Sequence, residues 1–207
     1  MCVEDTPYPR DWYDVLMTTL IGIQYKNAVM LGADSQITED NFKTLSTATP
    51  KIIKRGRYLI GITGDTRPGD ILTYNWRPPT FRNSDDPVQH MGKKVIPSII
   101  KAFNEGGYVW ADKDDKDDAG FDYLIAFNGN LFHIACDMSF IQADNHIYGL
   151  GSGGQLAFGY LNGCLENVQE NYQNKLDSLI RLAIEFASQF DVNTGGDIQI
   201  ELQRKGE

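Results

Sequence analysis

Two adjacent threonines, Thr18 and Thr19, stand at the head of the apolar run Leu20-Ile21-Gly22-Ile23. A threonine hydroxyl attacks a carbonyl only when a base takes its proton. Removal of residues 1–17 would supply that base, because Thr18 would then carry a free α-amine beside its own hydroxyl. An α-amine with a pKa of about 7.7–8.0 is well placed to accept a proton near neutral pH. Taken alone, the pair reads more simply as the start of a β-strand, where threonine is common. The remainder of the chain decides between these readings.

The elements that must position such a group are set by periodicity. Residues 1–17 carry acids, prolines and aromatics without a period, so they read as a leader or N-terminal extension, and residues 18–207 as one domain. TTLIGIQY and NAVMLGAD are apolar or alternating runs joined at Lys26-Asn27, a hairpin pattern. KIIKRGRYLIGITGD reads as a second hairpin turning at Arg55-Gly56. A short helix is expected from Pro68-Gly69, ended by Arg77-Pro78-Pro79. Over residues 87–104, Val88, Met91, Val95, Ile99, Ile100 and Phe103 recur at helical spacing, with Pro97 expected to kink the helix. FDYLIAF and LFHIACD flank Asn128-Gly129-Asn130, the clearest hairpin signal in the chain. HIYGL reads as a strand, residues 155–168 and 175–190 as helices, and DIQIELQ as a closing strand. Strands, helices, strands, helices and a strand in that order predict an α+β fold with antiparallel sheets.

Composition narrows the function classes. A length of 207 residues suits one domain with a sizeable core. The net charge of -9 argues against a nucleic-acid or anionic-membrane surface. No apolar run reaches the roughly 18 residues of a membrane span, and the N-terminus lacks the apolar core of a secretory signal. Cys2, Cys136 and Cys164 are too scattered for a disulfide framework or a zinc site and point to a reducing, cytoplasmic setting. The acidic run ADKDDKDDAG has Lys116 where a calcium loop needs an oxygen ligand, so it reads as a solvated loop. His90, His133 and His146 are isolated and read as core or surface residues.

From Thr18 to about Leu202, more weakly over residues 66–120, the chain resembles the β-type subunits of proteasomes and the simpler bacterial peptidase that works with an unfolding ATPase. Both are N-terminal-nucleophile hydrolases. The motifs that carry the resemblance are Thr18-Thr19 before an apolar strand, Gly32-Ala33-Asp34-Ser35-Gln36, Thr49-Pro50-Lys51-Ile52-Ile53 (one residue late), Ile60-Gly61-Ile62-Thr63-Gly64, Gly151-Ser152-Gly153-Gly154, and Asp191-Val192-Asn193-Thr194-Gly195-Gly196. The resemblance implies a four-layer αββα sandwich of two antiparallel sheets between helical layers. It implies Thr18 as nucleophile, Asp34 holding Lys51, and the Gly64 N–H as oxyanion donor. Ser152 and Asp191 would support the amine, with Thr194 where the family usually has serine. A buried lysine without a carboxylate partner is costly, so Asp34 and Lys51 make sense only as a pair.

The resemblance thus implies a threonine-type endopeptidase acting on peptides without metal or organic cofactor, built as a homo-oligomeric ring and served by an ATPase unfoldase. A second reading is a catalytically silent homologue, a structural subunit of a larger assembly such as a virion. It draws on Met17, where autoprocessing precursors usually have glycine, and on Asp65, where the family often has a second glycine. If Met17 were itself the initiator, its removal would expose Thr18 directly.

Overall fold

The computed structural model describes residues 18–39, 42–45, 49–108, 121–166 and 175–207. The leader and the acidic run lie outside the described residues. Alternation sorts the first hairpin. Strands β1 (Leu20–Tyr25) and β2 (Ala28–Ala33) pair antiparallel across Lys26-Asn27, with Lys26 at φ 54°. Leu20, Val29, Leu31 and Ala33 fall on one face, and Ile21, Ile23 and Met30 on the other. Sixteen residues separate Thr18 from Asp34, but the hairpin returns Asp34 to the level of Thr19.

The second hairpin comprises β5 (Ile52–Arg55) and β6 (Tyr58–Gly64). Its turn is Gly56-Arg57, one residue later than expected, because Arg55 still pairs with Tyr58 and Gly56 takes the positive φ of 58°. The small sheet of β3 (Gln36–Glu39) and β4 (Phe42–Leu45) has no counterpart in the sequence reading. Strands β7 (Phe121–Phe127) and β8 (Asn130–Ile134) turn at Asn128-Gly129, both at positive φ. After β9 (Phe140–Ile141) come β10 (Ile147–Leu150) and β11 (Gln199–Arg204). One sheet has the order β10-β1-β2-β11 and the other β5-β6-β7-β8-β9, with antiparallel neighbours throughout.

Three apolar layers hold four structural ones together. Leu20, Leu31, Leu59, Leu124 and Leu131 fill the space between the sheets. Helices α4 (Gly154–Glu166) and α5 (Leu176–Ser188) cover the outer face of the first sheet through Ala157, Leu161, Ile180 and Ile184. Helices α1 (Thr66–Tyr74), α2 (Pro87–His90) and α3 (Ile96–Glu105) cover the second sheet through Ile71, Leu72, Ile99 and Phe103. This is the αββα sandwich. Helix α1 starts two residues before Pro68, which the first turn tolerates because its N–H is not needed there.

Residues 87–105 differ from the expected kinked helix in one respect. Between α2 and α3, residues Met91–Val95 form a π turn that ends with the Ile96 N–H donating to the Met91 carbonyl. Pro97 has no N–H to donate and crowds the carbonyl four residues back, and the wider turn absorbs that misfit just ahead of it.

At the end of α2, His90 is fully buried against Phe81 and Phe127. The Tyr58 hydroxyl donates to the Pro79 carbonyl at 2.8 Å, so His90 Nε2 must donate to Tyr58 Oη at 2.8 Å. Its Nδ1 is left buried without a hydrogen-bond partner, 3.8 Å from Asp85 Oδ2. Burial, helped by the Lys94 charge, pushes the His90 pKa down against the pull of Asp85. The unfolded histidine takes a proton near pH 6.5 while the folded one resists it, so stability is lost as pH falls below about 6.5. His90→Gln is expected to flatten that acid limb by at most about 1.4 kcal/mol per pH unit, measured by urea unfolding between about pH 7.5 and 5.5.

Glutamines lock the sheets in register. Gln24 Oε1 accepts from Leu131 N at 2.8 Å and Gln203 Oε1 from Gly129 N at 2.7 Å. On the open edge of β5, the Gln199 amide accepts from Ile52 N at 3.1 Å and donates to Ile52 O at 2.7 Å. The backbone beside Lys51 is thereby tied to the last strand of the opposite sheet.

Candidate active site

The site is built at one end of the sandwich, where β1 begins and β2 and β6 end. Asp34, 1% exposed, comes directly after β2 and accepts hydrogen bonds on both carboxylate oxygens. Its Oδ1 takes Thr19 N at 2.9 Å and Lys51 Nζ at 2.7 Å. Its Oδ2 takes Gln36 N at 3.2 Å and Gly195 N at 3.0 Å. A buried carboxylate is tolerable only with this degree of compensation.

Lys51 leads into β5 with its side chain 12% exposed. Burial lowers its pKa most, while the charge and hydrogen bond of Asp34 and the charge of Asp191 push it back up. The result is an ammonium stripped of most of its water and fixed in direction, the condition under which a cation best stabilises a neighbouring oxyanion.

Gly64 closes β6 at φ 82°, a left-handed conformation that favours glycine. Two residues earlier, Ile62 N donates toward β5, to the Lys51 carbonyl at 3.0 Å. Strand alternation aims the Gly64 N–H at the same edge, past the first residue of β5 and on the Lys51 side.

A second cluster surrounds Asp191. Its Oδ2 accepts from Ser152 Oγ at 2.7 Å and from Thr194 Oγ1 at 2.5 Å, and its Oδ1 accepts from Asn193 N at 3.2 Å. Thr19 Oγ1 lies 2.6 Å from Thr194 Oγ1. Since the Thr194 proton points at Asp191, Thr19 must be the donor in that contact. The order is therefore Thr19 to Thr194 to Asp191, with Ser152 entering from the other side.

Thr19 joins the two clusters, its N–H on Asp34 and its hydroxyl on Thr194. Thr18 precedes it and is 4% exposed. Residues up to 175 positions apart in the chain thus meet around the head of β1.

No protein-family model matches the sequence, and no curated protein sequence matches it. Solved structures do match. Thiobacillus denitrificans BPH superposes with a TM-score of 0.71 at 20% identity, over 91% of this chain and 99% of that one. The same protein in complex with epoxomicin gives 0.70 at 19% identity, over 92% and 100%. Eukaryotic HslV from Trypanosoma brucei gives 0.61 at 19% identity, over 90% and 99%. The chain has the HslV-like αββα fold.

Within this HslV-like fold, the structure brings Asp34 to Lys51, gathers Ser152, Asp191 and Thr194, and turns Gly64 toward the Lys51 edge. Sequence reasoning passes over three contributors. The Thr19 hydroxyl reads in sequence only as part of a strand start. Gln36, which donates to the Val192 carbonyl at 2.8 Å and so anchors the Asp191 loop, carries no motif signal beyond its place after Asp34-Ser35. Gly153 lies so close to Thr19 Oγ1, Thr194 Oγ1 and Asp191 Oδ2 that no Cβ fits. Its signal is the double glycine after Ser152, visible as a motif but not as a contact. Among the described residues, no group of three or more His, Cys, Asp or Glu side chains is placed to hold a metal ion.

Proposed function

We propose that the protein is a threonine-type endopeptidase in which Thr18, exposed by removal of residues 1–17, is the N-terminal nucleophile. The observation that supports this reading is the junction at Thr19, the residue after Thr18, whose N–H is on the Asp34–Lys51 pair and whose hydroxyl is on the Asp191 cluster. Thr18 Oγ attacks the scissile carbonyl carbon while the Thr18 amine takes the hydroxyl proton. Lys51 stabilises the forming alkoxide, and the Gly64 N–H holds the carbonyl oxygen as it becomes an oxyanion. The amine returns the proton to the departing peptide nitrogen, leaving an ester on Thr18 that water hydrolyses. Ser152, Asp191 and Thr194 hold the amine's surroundings in place.

The proposal extends to a homo-oligomeric ring in the cytoplasm that encloses peptide substrates and receives them from an ATPase unfoldase. Intact mass and turnover of fluorogenic peptides test the central claim together. A chain beginning at Thr18 that cleaves peptides, and loses turnover in Thr18→Ala, is the expected result. Epoxomicin, bound by the Thiobacillus denitrificans protein, is expected to block it. A full-length chain without turnover, packed stoichiometrically into a particle, would instead establish the structural-subunit reading.

A further inference from the structure

Asp65 comes directly after Gly64 and is exposed. It is the N-cap residue of α1, yet its side chain makes no capping hydrogen bond. An N-cap aspartate ordinarily accepts from the first turn's free N–H groups, so this carboxylate forgoes its favourable local role. It is turned instead to Tyr108, whose hydroxyl donates to Asp65 Oδ2 at 2.9 Å. The Tyr108 ring is fixed in turn against Phe103 and Phe121, with ring centroids 5.6 and 5.8 Å away. Burial and the neighbouring Asp65 charge both push the Tyr108 phenol pKa up, so the phenol stays a proton donor to the carboxylate. Arg67, a cation in the first turn of α1, is directed elsewhere, to the Gly106 carbonyl at 3.0 Å.

We infer that Asp65, held by Tyr108, makes this site select peptides carrying a lysine or arginine side chain next to the scissile bond. The inference rests on the peptidase reading above and names its substrate class. Adjacent residues are only about 3.8 Å apart at Cα, so Asp65 puts a carboxylate on the rim of the place where the Gly64 N–H would hold an oxyanion. A fixed negative charge there opposes the charge that develops in the transition state. A neutral substrate meets that opposition in full. A cationic side chain beside the bond pairs with Asp65 and cancels it, while its methylene stem lies along the half-buried Tyr108 ring. The benefit appears in the transition state, so it acts on kcat/KM as discrimination rather than on binding alone.

The test compares two fluorogenic peptides, identical except for lysine or norleucine at the residues flanking the bond, on the chain that begins at Thr18. The expected kcat/KM ratio is about tenfold in favour of lysine, decreasing with added salt. Asp65→Asn is expected to bring the ratio to near one by raising norleucine turnover as well as lowering lysine turnover. Tyr108→Phe, which frees the carboxylate without removing it, is expected to reduce the ratio severalfold. Turnover of both peptides at equal rates in the parent chain, or a ratio that survives Asp65→Asn, overturns the inference and leaves the peptidase reading intact. If neither peptide is cleaved, the peptidase reading fails on that ground. Binding of the same two peptides to Thr18→Ala then decides the Asp65 claim. A lysine preference lost in Asp65→Asn upholds the pairing, and no preference or no binding sinks it.

Discussion

Asp34→Asn is expected to cut peptide turnover by about two to three orders of magnitude and to destabilise the fold by about 3–5 kcal/mol, the usual cost of leaving one member of a buried ion pair alone. The carboxylate accepts from Lys51 Nζ, Thr19 N, Gln36 N and Gly195 N. An asparagine amide can accept on one oxygen only and turns its NH2 toward groups that are themselves donors. The Lys51 ammonium, already depressed by burial, would lose the partner that opposes that depression. Without Asp34 it either gives up its proton or swings toward solvent, and in both cases the cation that the proposed mechanism assigns to the Thr18 alkoxide is gone. Loss of a positioned charge of this kind costs about two to three orders of magnitude in kcat. Urea unfolding and peptide turnover measure the two effects separately. The double variant Asp34→Asn with Lys51→Met removes the stranded charge and is expected to recover much of the stability but none of the activity. Recovery of both together would mean that the pair is structural only.

How far the chain can be read from its residues depends on the range of the interaction. Hairpins at Lys26-Asn27 and Asn128-Gly129 are legible because alternation and turn chemistry act over a few residues. The turn at Gly56-Arg57 falls one position from its expected place, since glycine can occupy either turn site and only strand pairing settles which. The π turn at Met91–Val95 is not legible, because periodicity shows a helical face and not the hydrogen-bond register within it. The glutamine bridges between sheets join residues as far apart as Ile52 and Gln199. Nothing local marks these glutamines, which look like the polar half of an alternating strand.

The site obeys the same rule. Asp34, Lys51, Gly64, Ser152, Asp191 and Thr194 stand in the sequence as motifs in order, and the structure adds how they touch. The Thr19 hydroxyl has no assignable role in sequence, because its partner Thr194 lies at the far end of the chain. Asp65 is visible there only as a departure from the usual glycine. Its unused cap position and its tie to Tyr108 are what make it more than a blemish beside Gly64.

Gly153→Ala is expected to disable the site although it adds a single methyl group. Gly153 is not at positive φ, so alanine meets no backbone penalty there. The obstacle is space. A Cβ would clash with the Thr19 hydroxyl and stand 2.5 Å from Thr194 Oγ1 and 3.0 Å from Asp191 Oδ2. Overpacking of this kind typically costs about 1–3 kcal/mol. Here the atoms that must yield are the hydroxyl chain from Thr19 through Thr194 to Asp191, so the displacement falls on the head of β1 where Thr18 sits. Shifts of an ångström at reacting groups cost about a hundredfold in rate, and a loss of that size in kcat is expected with thermal unfolding lowered by several degrees. Ser152→Ala, which removes one donor to Asp191 without intruding on its neighbours, is expected to be milder in stability. The decisive comparison is Gly153→Ala combined with Thr19→Ala. Deleting the threonine hydroxyl removes the closest of the three clashes and leaves those with Thr194 and Asp191, so only part of the lost stability should return. Activity should not return, because the donor that orders Thr194 and Asp191 is now missing. A double variant that regains both would show that the Thr19 hydroxyl fills space and does not position the site.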